Sequence, residues 1–444
     1  MNLPGALRDA PDAMRDKVPA ALQPSPTGLP TDSPLRTDRM AAALGVALGV
    51  TFTICFLTGV LSHLIQDPPS WFLWPTRPIN GYRFTQGLHV ATGLATIPIL
   101  LAKLWVVYPK FFRWPPATGL SDAVSRLSDL LLVGGGLFLL FSGTANLTRW
   151  RPWGFGFTSG HFWSAMLAYG ALLVHVAYRA ATTRRELGGG GAASLLRGDD
   201  AATSDGAAPT TDATPAEAVA ASDEPHDDAA PAEHEGPPAR EHALSRRGFL
   251  GAVGLASVAI TVTTVGQTLP LFRRLNILGP RRPEVGPQGL PVNATAAGAG
   301  VLEAVETDAA LADYRLGIVG AVDRELELTL DDLRSMPQAE EELPIACVEG
   351  WSASGRWGGV PVPDLLAMAG APKDAEVTVI SIQEPFLYAS SELNRLQASD
   401  RKTLLALDLN GEPLHVDHGR PVRLIGANRP GVQQTKWVTR LEVR

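Results

Sequence analysis

Cysteine is nearly absent: the 444 residues hold two, Cys55 within an apolar run and Cys347 in a mixed polar and apolar region. Two cysteines in such different settings exclude a disulfide framework. A single cysteine in a soluble region is either a small buried hydrophobe, the commoner case, or a chemical group. No basic stripe interleaved with aromatics occurs, which excludes a nucleic-acid partner. Large apolar residues are missing from the middle of the chain. That segment, 183–243, is acidic and Ala/Pro-rich, carries most of the net charge of -7, and cannot form a core. Nothing in it resembles a signalling domain.

What is present is long apolar stretches. Four lie at 40–65, 85–108, 127–147 and 162–181, and a fifth at 249–272. Each is close to the ~20 residues that a membrane helix needs. Five are too many for the buried helices of a soluble protein, so the expected layout is a disordered cytoplasmic arm (1–39), a four-helix transmembrane domain (40–182), a disordered cytoplasmic linker (183–243) and an anchor helix (244–275). Lys and Arg concentrate in the arm, in the second loop (Lys110, Arg113, Arg126) and after the fourth span (Arg184, Arg185, Arg197). That bias places the N-terminus inside. The fifth helix then exports everything beyond about residue 275.

The anchor opens with Ser245-Arg246-Arg247-Gly248-Phe249-Leu250 before its apolar run. This resembles a twin-arginine export signal in an internal position, and it implies a domain that folds around a cofactor before export. The alternative is a plain positive flank. No small-x-small cleavage site follows clearly, so an uncleaved anchor in a bacterial cytoplasmic membrane is expected.

Residues 285–444 alternate β-type runs with turns, at 314–322, 325–329, 376–382, 404–409, 422–425 and 437–443, with short helices at 330–334 and 363–368. This predicts a β-dominated α+β domain, so the fold class is multidomain: an all-α bundle plus anchor, then α+β.

Within it, Cys347-Val348-Glu349-Gly350-Trp351-Ser352 is followed by Trp357-Gly358-Gly359-Val360-Pro361 and Asp364-Leu365-Leu366. Further on come Asn410-Gly411-Glu412-Pro413-Leu414, His418-Gly419-Arg420-Pro421-Val422-Arg423 and Lys436-Trp437. Over 285–444 the sequence resembles the sulfite oxidase family of molybdopterin oxidoreductases, which includes the bacterial methionine-sulfoxide-reductase molybdoenzymes. The resemblance implies a molybdenum–molybdopterin cofactor with Cys347 as the thiolate ligand, and soft sulfur suits a redox-cycling metal. It further implies that His418, Arg423 and Lys436 contact the pterin phosphate, with Gln433 in a stretch whose N–H groups face the same group. Tyr388, among loop residues Glu384, Phe386 and Ser390, is placed above the metal as a catalytic candidate. Arg356, Arg395 and Arg429 are candidates for an anion-holding cluster of the kind sulfite-oxidising members use. The sequence stops at Arg444 just past the last motif, so the extra dimerisation domain of eukaryotic sulfite oxidases is expected to be absent.

The first four spans carry His63, His89, His161 and His175. His161 and His175 are about four turns apart on one face of a helix, ~21 Å. The bundle resembles the cytochrome b561-like and formate-dehydrogenase cytochrome b families. That resemblance implies haem b, with iron held by His89 and His161. His63 is an alternative ligand or quinone-site group, and no second inner histidine pairs with His175. The expected function is a membrane-bound oxidoreductase. It exchanges electrons between the quinone pool, via the haem, and a small extracytoplasmic substrate, by S-oxide or N-oxide reduction or sulfite-like oxidation. The alternative is a membrane cytochrome b with a non-catalytic C-terminal binding module.

Overall fold

In a computed structural model of the protein, the described residues are 35–111, 117–148, 157–188, 245–266, 270–282, 284–383 and 389–444, with Ser33 and Trp150. Tyr388 and most of the arm and linker expected to be disordered lie outside them.

Five long helices come first: α1 (Asp38–Gln66), α2 (Gly81–Phe111), α3 (Leu120–Leu147), α4 (Phe157–Leu187) and α5 (Arg246–Val265). Thr37 caps α1 by accepting the Met40 N–H at 3.2 Å, and Ser245 caps α5 by accepting that of Gly248 at 3.0 Å. Helices α1, α2, α3 and α5 are long and apolar enough to cross a membrane. Helix α4 is as long but more polar, because it carries His161, Ser164, His175 and Arg179.

Helix α1 packs on α2 and α4, and α3 packs on α4. Helix α5 lies antiparallel along α2: Phe249 stands against Trp105, ring centroids 5.5 Å apart, Ser257 donates to the Ala95 carbonyl at 3.0 Å, and Val265 packs with Leu94 and Leu147. The start of α5, with Arg246 and Arg247, is therefore at the same end as Asp38 and Lys110.

The C-terminal domain begins with two one-turn helices, α6 (Leu302–Val305) and α7 (Asp308–Leu311), followed by β1 (Leu316–Gly320), β2 (Leu326–Leu328) and α8 (Leu330–Ser335). Then come β3 (Ala339–Ala346), β4 (Ser352–Pro361), α9 (Val362–Ala369), β5 (Val377–Ser381), β6 (Ser390–Leu393) and α10 (Arg395–Ala398). The last strands are β7 (Leu404–Leu409), β8 (Glu412–Pro413), β9 (Arg423–Ile425) and β10 (Val438–Val443). One sheet has the order β2-β1-β10-β5-β6, with β1 and β10 parallel. The other runs β3-β4-β7-β8, and β9 also pairs with β7. The domain is β-rich, and the six expected strands all form.

Strands β3, β4, β6 and the two-residue β8 lie outside the expected runs. Strand β4 has Gly355, Gly358 and Gly359, and β3 has three consecutive glutamates and Pro344, all poor strand formers. Pairing decides instead: β4 is central, bonded to β3 on one side and β7 on the other. A side chain at Gly355 would displace the Leu409 and Leu290 side chains, since a Cβ there would lie 2.7 Å and 3.0 Å from their methyls.

Candidate functional site

The C-terminal domain sits on one end of the bundle, held by the α1–α2 loop. Asn428, in the left-handed region (φ 58), accepts the Tyr82 N–H at 2.5 Å and donates to the Pro75 carbonyl at 2.7 Å. Its carbonyl accepts from the Trp74 indole at 2.8 Å, and its own N–H donates to Ile79 at 3.1 Å. Arg77 pairs with Asp400 at 2.7 Å. The Gln433 amide donates to the carbonyls of Ile65 and Gln66 at 3.3 and 3.1 Å, which satisfies the end of α1.

Cys347 lies at the end of β3, where this contact is closest. It is 2% exposed, among Ile345, Trp351, Leu414 and Ala427, and is not in a disulfide. Its N–H donates to the Trp351 carbonyl at 2.9 Å, and its carbonyl accepts from Gly350 at 3.1 Å. Gly350 has φ +83, and a Cβ there would lie 3.0 to 3.3 Å from Leu147, Val90 and Val265. The turn after Cys347 therefore rests on the ends of α2, α3 and α5 and requires glycine at its tip. Gln86 donates to the Val348 carbonyl at 3.5 Å. A parallel bridge between Ala346 and Pro430 brings the 431–434 segment alongside. In that segment Gln433 N–H goes to Pro430, Gln434 N–H to Gly431, and the Gln433 side chain to α1. The Gln433 side chain is thus spent on docking the two domains.

The remaining predicted residues form a cationic group. Arg423 is 1% exposed; its Nη atoms donate to the carbonyls of His418 and Gln434 at 3.0 and 3.2 Å, its guanidinium stacks 4.8 Å over Trp357, and its Nε has no partner. Burial pushes this guanidinium down to about 9. Lys436 donates to the carbonyls of Ala294 and Asp417, both at 2.7 Å. Gly419 (φ +108) lies between the two cations, since a Cβ there would be 3.0 Å from the Cβ atoms of Arg423 and Lys436. His418 is buried, with Nε2 at 2.9 Å from the Pro287 carbonyl, and burial together with nearby Arg423 pushes it down to about 4. Arg429 is equally buried, pushed down to about 9 by burial, with Nε unpartnered.

Among the described residues no carboxylate pairs with Arg423 or Arg429. Burying a cation without a counter-ion costs several kcal/mol. The residues present therefore suit an anionic group, and the unpartnered Nε atoms are donors for one. Arg356 and Arg395 are exposed, whereas Arg429 is buried and donates to Gln397 and to the Glu392 carbonyl.

In the bundle, His89 and His161 face each other with ring centroids 6.3 Å apart and planes at 79°. Two metal–imidazole bonds of about 2 Å, plus roughly 1.2 Å from each nitrogen to its ring centre, come to the same separation. His89 Nδ1 is 2.8 Å from the Cys55 carbonyl, and His161 Nδ1 is 2.9 Å from Ser142 Oγ. Holding one ring nitrogen this way fixes the other for a metal. His63 stacks on Phe162 at 3.8 Å, and His175 Nδ1 is 2.5 Å from Asp129 Oδ1. The four histidines line one cavity of about 2190 Å3, which Val348 also reaches. Sequence reading missed Asn428 and Gln86, whose roles depend on contacts between residues more than 250 positions apart.

Residues 302–444 match the family model described as "Oxidoreductase molybdopterin binding domain". The C-terminal domain belongs to the molybdopterin-binding oxidoreductase family. The chain is 33% identical over 141 residues to a putative protein-methionine-sulfoxide reductase subunit, YedZ1, of Azospira oryzae, covering 32% of this chain and 52% of that protein. It is 30% identical over 158 residues to human mitochondrial sulfite oxidase, covering 30% of this chain and 29% of that one. Among solved structures it is similar to the sulfane dehydrogenase SoxCD of Paracoccus pantotrophus, at 27% identity and TM-score 0.28, covering 30% of this chain and 38% of that one. The molybdopterin-binding domain thus occupies about the last third of a chain whose first part is apolar helices, and the chain spans about half or less of these relatives' lengths.

Proposed function

We propose that the chain is a membrane-bound molybdopterin oxidoreductase, exchanging electrons between quinone and a small substrate by way of a b-type haem. The observation that carries this reading is the seating of the Cys347 turn on the bundle. Val348 touches Gln86, and Gln86 is one helical turn from His89. Molybdopterin supplies oxygen-atom transfer with two-electron redox change when bound, and haem supplies a one-electron relay. Cys347 provides the metal thiolate. Arg423 and Lys436 hold the pterin phosphate, and His418 sits neutral beside them. His89 and His161 would hold the haem iron between their facing rings.

The similarity to a putative protein-methionine-sulfoxide reductase subunit favours S-oxide reduction. We place α4 as a further span, because it packs lengthwise on α3 and α1. Arg246, Arg247, Lys110 and Arg184 gather at the end of the bundle away from the C-terminal domain, which supports that end as cytoplasmic. Ser245-Arg246-Arg247 supports twin-arginine export. The test is a screen of S-oxides, N-oxides and sulfite with the purified chain, following haem redox state. Oxidation of reduced haem by an S-oxide is expected. A protein without molybdenum, or a haem indifferent to every substrate, would overturn the reading.

A further inference from the structure

We propose that the end of the bundle cavity remote from the C-terminal domain is a quinone headgroup site, held between Lys103 of α2 and the Asp129–His175 pair. This deepens the function proposed above, and rests on it.

Lys103 follows His89 by fourteen residues on α2, and His175 follows His161 by fourteen on α4. Fourteen residues are close to four turns, about 21 Å, so each helix presents an equivalent position one level down. At the first level the two positions are the facing histidines. At the second they are Lys103 and His175, and all four line the same cavity. Its volume of about 2190 Å3 is roughly twice the ~1000 Å3 upper end of ordinary ligand sites. One porphyrin at the first level therefore leaves space for a second molecule.

The residue types select its chemistry. A lysine ammonium has three donors and no acceptor, so it bonds a carbonyl oxygen and is a poor iron ligand. Lys103 Nζ donates to the Ala41 carbonyl, and Gly45 leaves it room, since a Cβ there would lie 2.9 Å from Nζ. Across the cavity, His175 Nδ1 is 2.5 Å from Asp129 Oδ1, and Arg179 donates to Asp129 Oδ2 at 3.4 Å. Asp129 thus orients the imidazole and leaves Nε2 for a ligand. Helices α2 and α4, 31 residues each, are about 46 Å long against ~30 Å of hydrocarbon, so each overhangs by about 8 Å per end. Lys103 is eight residues from the end of α2 and His175 twelve from the end of α4. Both therefore lie below the hydrocarbon boundary, where ionisable groups mark functional sites. A ligand with two ring oxygens and an apolar tail fits a donor on one side, a proton-exchanging imidazole on the other, and apolar walls.

In quinol oxidation both ring O–H bonds break. One proton goes to His175 Nε2, where Asp129 stabilises the imidazolium. The other leaves from the hydroxyl bonded to Lys103 into water at the open end. The two electrons would go one at a time to a haem held by His89 and His161, reoxidised between the two transfers by the molybdenum centre. Quinone reduction is the reverse.

The test uses the full chain in detergent, with Lys103→Met, His175→Phe and Asp129→Asn. A short-tail quinol is mixed with each protein while haem reduction is followed; haem per chain and co-purified quinone are measured separately. Loss of a hydrogen bond to a charged group predicts at least about tenfold slower quinol-driven reduction, with less retained quinone and unchanged haem content. Unchanged rate and retention overturn the proposal. So does a wild-type protein with two haems that loses one in the Lys103 or His175 variant. A wild-type protein without haem sinks the haem assignment instead, and quinone retention then still decides the site.

Discussion

Asn428 and Tyr82 are 346 residues apart in sequence, and the side-chain oxygen of Asn428 accepts the backbone N–H of Tyr82 at 2.5 Å. The same side chain donates to the Pro75 carbonyl. The contact ties the molybdopterin-binding domain to the first residues of the helix that carries His89. Asn428→Leu removes both bonds and leaves a β-branch-free but bulky side chain at positive φ. We expect a loss of about 2–4 kcal/mol from the docked arrangement. Amide exchange in 72–82 should accelerate while haem content stays constant. Unchanged protection there would show that the docking does not depend on Asn428.

Cys347→Ser tests the metal thiolate. The side chain is small and buried, so the substitution costs about 1 kcal/mol or less and the domain folds. Molybdenum per chain, measured by elemental analysis, should fall to background, and turnover should disappear. A variant that keeps both removes the ligand assignment.

Arg423→Met separates cofactor binding from folding. Replacing a buried, unpaired cation with an apolar chain of similar shape is expected to change the stability of cofactor-free protein by about 1 kcal/mol in either direction. Retained molybdopterin should nevertheless drop by about tenfold, the consequence of losing a charge-assisted phosphate contact. Equal pterin content in variant and wild type would place the phosphate elsewhere.

His89→Ala and His161→Ala should each abolish the Soret and α bands of the reduced protein, because a six-coordinate haem needs both rings. His63→Ala should leave them, since that ring stacks on Phe162. A spectrum lost only in the His63 variant would reassign the ligands.

The pH dependence of the cofactor-free domain follows from His418. Burial, aided by Arg423, holds it down to about 4 in the folded protein, against ~6.5 unfolded. Between these values the unfolded chain binds the extra proton, so stability falls as pH drops from about 6.5 to 4 and is unaffected above it, by about 3 kcal/mol in all. The urea midpoint followed by tryptophan fluorescence should fall more steeply with acid in wild type than in His418→Asn. Parallel profiles would contradict the buried neutral imidazole.

The sequence by itself determined the layout. Apolar length marks membrane-competent helices because a bilayer has a fixed thickness, and the Cys347, His418, Arg423 and Lys436 motifs are local strings with a family signature. It also held the fourteen-residue spacings from His89 to Lys103 and from His161 to His175, the first of which joins unlike residue types and so makes no visible motif. The tertiary structure decided the rest. Strand β4 exists through its two neighbours rather than through the propensities of its glycines. The 6.3 Å approach of His89 and His161 depends on how four helices pack. Gln433, adjacent in sequence to the cofactor motifs, spends its amide on the carbonyls of α1 because those would otherwise lack partners. Cys347 reaches the roof of the bundle because Gly350 (φ +83) permits a left-handed turn that side chains rarely adopt. These are contacts between distant segments, set by packing and by the need of each buried polar group for a partner, and no local pattern encodes them.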